Sequence, residues 1–451
     1  MSADPSSIAA PAPIAPATGV AASVGDTVTP YHWLVVLIAS AGWLFDCMDQ
    51  RLFVLARESA MTELLGREAA AAQIKQYSGY ATTAMILGWA TGGVIFGMLS
   101  DRWGRVKTMM ATLLVYSGFT GLSGLSQSWV DFIGYRFLVG LGIGGMFGAA
   151  TTLVAESVPG RVRAVALGGL QALSAIGNII GSLISLQVQP GATNFLWGMS
   201  GWRILFFVGI LPSLLVVPMM LALREPEAWS RAKEDAARSG VPRNVGSPLE
   251  LFRSPRWRRN SIVGLLLGVS GMVGLWGIGF FSPELISTAL AGAPQTTIDT
   301  VRAWGTALQD VGAFLGMMAF TAIASLVSRR LAFAFAFVAG MLITAFVFNS
   351  LQTATDAYWM LPMMGAAQLA LFAGYSIYFP ELFPTRLRGT GVGFCYNTVR
   401  YIAAPAPILL GYLSSLLSFR SAAVLMSSVY LVGLVALFWA PETKGKPLPE
   451  D

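Results

Sequence analysis

The sequence predicts an all-α membrane protein whose twelve transmembrane helices form two pseudo-symmetric six-helix bundles. Three observations carry that expectation. Of the 451 residues, 55% are hydrophobic and only 12% charged, and the mean hydropathy is +0.64, which leaves too little polar surface for a soluble chain of this length. Apolar runs of about 20 residues, enough to cross a bilayer core as helix, recur almost end to end. An eight-residue motif also occurs twice. Glu156-Ser-Val-Pro159-Gly-Arg161-Val-Arg163 and Glu381-Leu-Phe-Pro384-Thr-Arg386-Leu-Arg388 share Glu, Pro, Arg and Arg at a constant offset of 225, half the chain, as expected of two parallel repeats.

Residues 1–30 are rich in Ala, Pro and Ser and lack a basic segment ahead of an apolar one, so they read as a disordered cytoplasmic tail and not a cleaved signal. The N-terminal bundle, 31–223, is expected to contain helices over Trp33–Ala56, Tyr77–Ser100, Thr108–Ser126, Val130–Val158, Ala164–Val188 and Trp202–Leu223. The longest polar stretch, with Pro, Gly and mixed charges, gives a cytoplasmic linker at 224–259. The C-terminal bundle, 260–440, follows with Asn260–Pro283, Arg302–Leu326, Leu331–Ser350, Tyr358–Phe379, Gly389–Ser415 and Ser421–Ala440, ahead of a cytoplasmic tail at 441–451. The ends of the halves echo each other as Arg224-Glu225-Pro226-Glu227 and Pro441-Glu442-Thr443-Lys444-Gly445.

A net charge of +6 and a pI near 9.4 would suggest nucleic acid as the partner of a soluble protein. Here the positive residues are sorted by loop, and no nucleic-acid partner is expected. The segments 101–107, 159–163, 224–259, 327–330, 384–388 and 441–451 carry 20 of the 29 Lys and Arg. Basic excess marks the cytoplasmic side, so both termini are expected there, in a multi-pass protein of the plasma (inner) membrane. The expected partners are the lipid bilayer and a small-molecule substrate, and the expected state is a monomer.

The run Gly97-Met-Leu-Ser-Asp101-Arg102-Trp103-Gly104-Arg105-Val106-Lys107 places four charges in seven residues between apolar helices. It resembles the loop between the second and third helices of major facilitator superfamily transporters. Arg136-Phe-Leu-Val-Gly140-Leu-Gly142-Ile-Gly144 is similar to the fourth-helix signature of that family, where small residues let helices approach closely. The terminal Pro-Glu-Thr-Lys-Gly resembles the ending of its sugar-porter and metabolite:proton symporter branches. The resemblance covers all but the first thirty residues, and it implies rocking alternating access about a central site. Its gate would use Gly97, Asp101, Arg102, Gly104, Arg105, Lys107, Glu156, Arg161, Glu381 and Arg386, with Asp101 capping a facing helix of the other half. The second-half version of the loop, Ser328-Arg329-Arg330, is degenerate and contains no acid, so the latch is expected to be asymmetric.

Charges within the bilayer cost about 2.5–3.5 kcal/mol each on insertion scales and face a cavity or a partner. Helix one carries Asp46, Asp49 and Gln50 at i, i+3 and i+4, on one face. Helix four carries Arg136, helix eight Asp310 and helix eleven Arg400, the last at a depth broadly comparable to Asp46. The Asp46/Asp49 spacing resembles helix one of the aromatic-acid and short-chain carboxylate proton symporters, and Arg400 resembles their helix-eleven arginine, although Tyr401 and Ile402 replace smaller residues. A guanidinium presents a planar fork of donors to a carboxylate, and a desolvated carboxylate holds a proton more readily. The expected function is therefore proton-coupled symport of a small organic acid, with Asp46, Asp49 and Arg136 as the proton-coupling residues. Arg400, Tyr396, Asn397, Gln368, Asp310, Trp276, Tyr375, Gln171 and Asn178 are the candidate substrate-binding residues. Asp46 or Asp49 equally suits a structural pair with Arg136 or Arg51, Arg400 an anchor for helix ends, and Asp310 a packing or gate salt bridge.

A sugar or another neutral or cationic metabolite remains the alternative cargo, and a receptor without flux the more distant one. An intramembrane enzyme is disfavoured, since the chain has neither a His-Glu-x-x-His helix nor a Gly-x-Ser-x-Gly turn. Cys47 and Cys395 lie in different helices without metal-ligand spacing, so no metal site is expected. No cofactor is expected beyond the proton as coupling ion.

Overall fold

The computed structural model of the chain describes residues 27–66, 70–238 and 246–450. The expectation of disorder for 1–26, and the linker and tail assignments for 239–245 and 451, lie outside the described residues. The N-terminal half contains α1 (Pro30–Leu65), α2 (Ala71–Trp103), α3 (Arg105–Gly124), α4 (Trp129–Ser157), α5 (Gly160–Val188) and α6 (Gly201–Ala222). A short helix, Glu227–Arg238, and a single turn, Glu250–Arg253, lie between the halves. The second half contains α7 (Pro255–Ala289), α8 (Gln295–Leu326), α9 (Arg329–Ser350), α10 (Ala354–Leu382), α11 and α12 (Phe419–Ala436).

Among the described residues, ten helices are long and apolar enough to cross a membrane. Helices α3 and α11 depart from this for different reasons. Helix α3 is unbroken but polar, with Thr108, Thr112, Tyr116, Ser117, Thr120 and Ser123 all buried on it. Helix α11, expected as one helix from Gly389 to Ser415, is three segments: Arg388–Asn397, Val399–Ala403 and Ala406–Leu416. Its second break falls at Pro405, which lacks an amide hydrogen and opens a new helix more readily than it continues one. Helices α1 and α2 each extend beyond the expected apolar run at the end away from the basic loops.

Local chemistry sets several helix starts. Ser128 and Asp131 form a reciprocal capping box on α4, and Thr353 and Asp356 do the same on α10. His32 accepts a hydrogen bond at Nδ1 from the Thr29 amide at the start of α1, 3.1 Å. The halves repeat one another in detail. Arg203, near the start of α6, donates to the Gly124 and Ser126 carbonyls at the end of α3 (2.7 and 3.0 Å), while Arg420, near the start of α12, donates to the Phe348 and Leu351 carbonyls at the end of α9 (2.9 and 2.6 Å). Each arginine closes the orphan carbonyls of a helix terminus that has no partner of its own.

Candidate functional site

The two halves meet along α2 and α11. At Gly97, a Cβ would stand 2.7 Å from the Gly389 carbonyl oxygen, so only glycine permits this backbone approach. Immediately beyond it, the Asp101 carboxylate caps the first turn of α11 across the interface. Oδ1 accepts from the Gly389 amide (2.9 Å), and Oδ2 from the Thr390 amide and hydroxyl (2.8 and 2.7 Å). An anion at a helix N-terminus satisfies amides that the helix cannot and complements the dipole. Gly104, at φ +116°, turns the chain into α3, whose first amides, Arg105, Val106 and Lys107, donate to Glu225 at 2.6, 3.1 and 3.2 Å.

Arg105 is fully buried. It grips Glu156 through Nε and Nη2, both at 2.9 Å, and also donates to the Ser100 and Thr385 carbonyls. Arg388 of the second half closes on the other side of the Glu156 carboxylate through Nη1. Glu156 thus joins one arginine from each bundle, with all three side chains out of solvent. In the second half Arg329 binds Glu381 through Nε and Nη2 (3.2 and 2.9 Å), and Thr443 donates to the same carboxylate at 2.5 Å. Glu442 receives the Ser328 hydroxyl and the Arg329 and Arg330 amides, which caps α9 as Glu225 caps α3.

Four of the expected gate residues are placed differently from Asp101, Arg105, Glu156 and Glu381. Arg161 and Arg102 are exposed, and Lys107 contributes only its amide. Arg386 faces Glu250 at 3.8 Å instead of the acids of the repeated motif, because its turn points toward the segment between the halves.

Deeper in the fold, the Arg400 guanidinium lies over the Trp89 ring of α2 at 3.8 Å and over Tyr396 at 4.7 Å. Its Nη1 donates to the Tyr396 carbonyl and the Asn397 side chain at 2.6 and 2.9 Å, and its Nε has no partner. A cavity of about 40 Å³ borders it, lined by Ile86, Trp276, Arg400, Ala403 and Ala404. The Tyr396 ring stacks on Phe147 of α4 at 3.7 Å, and Phe147 packs on Trp43 of α1. Asp46 lies within electrostatic reach of Arg400, and Asp49 within reach of Arg136; both carboxylates are fully buried and neither accepts a hydrogen bond of good geometry. Arg136 sits among the rings of Phe53, Phe132 and Phe206, and its fixed partner is the Ser123 hydroxyl at 2.6 Å.

Arg400, Tyr396, Asn397 and Trp276 therefore come together where the bundles meet, with Asp46 in reach of Arg400, whereas Asp49 and Arg136 lie inside the N-terminal bundle beside Thr120, Ser123 and the rings of Phe53, Phe132 and Phe206. Several expected substrate residues do not come together there. Gln368 donates to Thr344 at 2.9 Å and Tyr375 to the Leu267 carbonyl at 2.8 Å, both inside the second bundle, because α10 turns that face toward α9 and α7. Asp310 pairs with Arg51 at 2.5 Å, bridging α8 to α1, with Asn178 of α5 beside it. Gln171 is buried on α5. Among the described residues, no group of three or more His, Cys, Asp or Glu could hold a metal ion.

Trp89 was not among the expected site residues. Its signal was a single large aromatic in the small-residue run Gly88-Trp89-Ala90-Thr91-Gly92-Gly93, where the neighbours leave room and the ring fills it.

Residues 39–406 match the Major Facilitator Superfamily. The chain belongs to this superfamily. Among curated proteins, a putative metabolite transport protein of Haemophilus influenzae is 28% identical over 94% of this chain and 99% of its own length. A cis,cis-muconate transport protein of Acinetobacter baylyi is 28% identical over 80% of this chain and 84% of its own. Among solved structures, the proton:xylose symporter XylE has the same fold, with a TM-score of 0.76 at 17% identity over 93% of this chain and 98% of that one. As a member of this superfamily, the chain is a multi-pass membrane transporter of a small molecule and not an enzyme. Within the run Gly97 to Lys107, Gly97, Asp101 and Arg105 make the contacts that join its two bundles.

Proposed function

We propose that this transporter carries a small planar organic acid in symport with a proton, with Arg400 binding the substrate carboxylate and Asp46 or Asp49 carrying the proton. The observation that carries the reading is the setting of Arg400. Its guanidinium is buried on the interface between bundles, held by aromatic faces and two neutral oxygens, with Nε unpartnered. A cation stacked on Trp89 and Tyr396 is only partly compensated, whereas a carboxylate forms charge-assisted bonds to it. Trp89 and Trp276, in edge contact at 6.5 Å, supply flat faces for a conjugated or aromatic body. The relative named for cis,cis-muconate supports an acid as cargo.

Asp46 and Asp49 sit one turn apart between the two arginines. Protonation of either removes a buried negative charge and weakens its hold on Arg400 or Arg136, so substrate anion and proton favour each other's binding. The bundles then rock about this site, and the contacts of Asp101 and Glu156 must open once in each cycle. The excess of Lys and Arg assigns the latched face to the cytoplasm, in an inner membrane with both termini inside. No cofactor takes part beyond the proton, and the protein works as a monomer.

A thermal-shift screen of monocarboxylates, aromatic acids and sugars on the native protein and on Arg400→Ala tests the reading. Planar acids are expected to raise the midpoint of the native protein, and truncating one partner of a buried charge pair costs about 2–5 kcal/mol, so the shift vanishes in the variant. Stabilisation by sugars that survives Arg400→Ala replaces this reading with a sugar porter. In proteoliposomes, full accumulation driven by a pH gradient in both Asp46→Asn and Asp49→Asn overturns the proton assignment.

A further inference from the structure

Helix α3 carries a second polar feature that the substrate site does not use. Four of its buried hydroxyls, Thr108, Thr112, Ser117 and Ser123, each donate to a carbonyl three or four residues earlier. Tyr116 and Thr120, at the level of the α1 acids, have no hydrogen-bond partner although both are completely buried. Buried polar atoms left without protein partners are rare and normally bind ordered water or do chemistry.

These two side chains stand in a column. Tyr116, Thr120 and Ser123 are spaced i, i+4 and i+7 and so share one face of α3. Tyr116 lies within electrostatic reach of both Asp46 and Asp49, and the Thr120 hydroxyl approaches Asp49. Ser123 accepts from Arg136 Nε and Nη2 at 3.1 and 2.6 Å. Farther from the latched face, the buried Ser126 hydroxyl is again unpartnered, and Arg203 donates to the Ser126 carbonyl. Arg203 pairs with Glu63 at 3.0 Å, where the two side chains reach solvent at 16% and 38% exposure. Helix α6 contributes to the column by its break: a Cβ on Gly209 would come within 2.9 Å of Asp49 Oδ1, so the absent side chain keeps the approach from Thr120 to Asp49 open.

We infer that the coupled proton reaches the α1 carboxylates inside the N-terminal bundle, along Tyr116 and Thr120 of α3, and not through the opening between bundles that admits the substrate. The inference rests on the proton-coupled reading above. A hydronium at the Glu63 and Arg203 end gives up its proton to the first water or hydroxyl of the column. Each member accepts one proton as it passes one on, and the net change is one proton on Asp49 or Asp46 and one water left outside. The charged and titratable groups that face the acids are Cys47 on α1, Tyr116 on α3, Arg136 on α4 and Tyr396 and Arg400 on α11, with the Arg51–Asp310 pair nearby. Helices α5 and α6 carry titratable groups only near their ends, at Arg161, Arg163 and Arg203. The column separates the two cargoes in space, with the proton passing within one bundle and the acid between two.

The proton itself serves as the probe. Infrared difference spectra of the reconstituted protein after a pH jump follow the carboxyl band, assigned by its loss in Asp46→Asn or Asp49→Asn. Tyr116→Phe and Thr120→Val, which remove only hydroxyls or replace them isosterically, are expected to slow protonation about tenfold or more, within the range for removing a positioned proton carrier. Thr120→Ser, which keeps the hydroxyl, restores the rate. Native rates in both hydroxyl-free variants overturn the inference, as does the absence of any band lost in the two Asn variants. A failure of the proton-coupled reading is distinct: the native protein then protonates its acids through the column, but a pH gradient drives no accumulation.

Discussion

Glu156 and Glu381 hold equivalent places in the two halves, yet only one of them joins the bundles. Each accepts a bidentate arginine from its own half, Arg105 in the first and Arg329 in the second. Glu156 is also bound by Arg388 from across the interface. Arg163, the counterpart of Arg388, faces Glu381 but keeps an unpartnered Nε, and Thr443 occupies the carboxylate from the bundle's own side. The cap of Asp101 on α11 likewise has no mirror image, since the residue four before Arg329, as Asp101 is four before Arg105, is Ser325. The same repeat therefore builds a clasp between domains in one half and an internal brace in the other. A latch that must open in each cycle works with one clasp, and a second would add to the cost of opening without adding direction.

The sharpest way to break the comparison is to neutralise each acid in turn. Removing one partner of a buried ion pair costs about 3–5 kcal/mol. Glu156→Gln and Glu381→Gln are both expected to lower the thermal midpoint in detergent, with Glu156→Gln the more severe because it strands two arginines. Only Glu156→Gln should part the bundles. Ser376 donates to the Leu167 carbonyl across the α10–α5 contact at 2.9 Å and is completely buried, while the native Cys47 and Cys395 are also buried. A Ser376→Cys reporter should label from the latched face in the Glu156→Gln background and remain protected with Glu381→Gln. Equal labelling in both would show that Glu381 also clasps.

Asp101 offers the next largest effect. Its carboxylate accepts three bonds at the start of α11, and hydrogen bonds to a charged group contribute about 1.5–3 kcal/mol. Asp101→Asn keeps the shape and one acceptor but loses the charge that complements the helix terminus. The expected result is partial labelling of the same reporter, between native and Glu156→Gln. Full protection would transfer the clasp to Glu156 alone.

The fold was legible because its signals are long-range and redundant. Twenty-residue apolar runs, the Glu-Pro-Arg-Arg repeat and the sorting of basic loops each point to the same architecture. The latch was partly legible, since Asp101 and Arg105 share one short charged run and the Glu-Pro-Arg-Arg motif recurs at a fixed offset. Arg386 misled, because the turn carrying it is shared with Arg388 and only the fold shows which arginine points inward. The mid-plane was harder. Gln368 and Tyr375 sit among site-like neighbours on α10, but one turn of helix rotation separates a cavity face from a packing face, and α10 is buried on nearly every side. Tyr116 and Thr120 were hidden for the opposite reason. Hydroxyls in an apolar helix usually bond their own backbone, as Thr108 and Ser117 do here, so spacing alone does not reveal the ones that do not.

The smallest effect concerns the two caps, Glu225 on α3 and Glu442 on α9. Burial raises the Glu442 carboxyl, but the Ser328 hydroxyl and the amides of Lys444, Arg330 and Arg329 outweigh it and hold the group below the ordinary glutamate range. A depressed acid stabilises the folded state fully above its unfolded pKa, and that contribution disappears as pH falls through the folded value. A helix cap is worth about 1 kcal/mol, so Glu442→Gln should lower the thermal midpoint by about one degree at neutral pH. The gap between native and variant should persist down to the ordinary carboxyl range and close only in stronger acid. Because Glu442 braces its own bundle, the Ser376→Cys reporter should stay protected throughout that titration. Labelling that appears as the cap is lost would mean that the second half's brace supports the interface after all, and the division between clasp and brace would have to be redrawn.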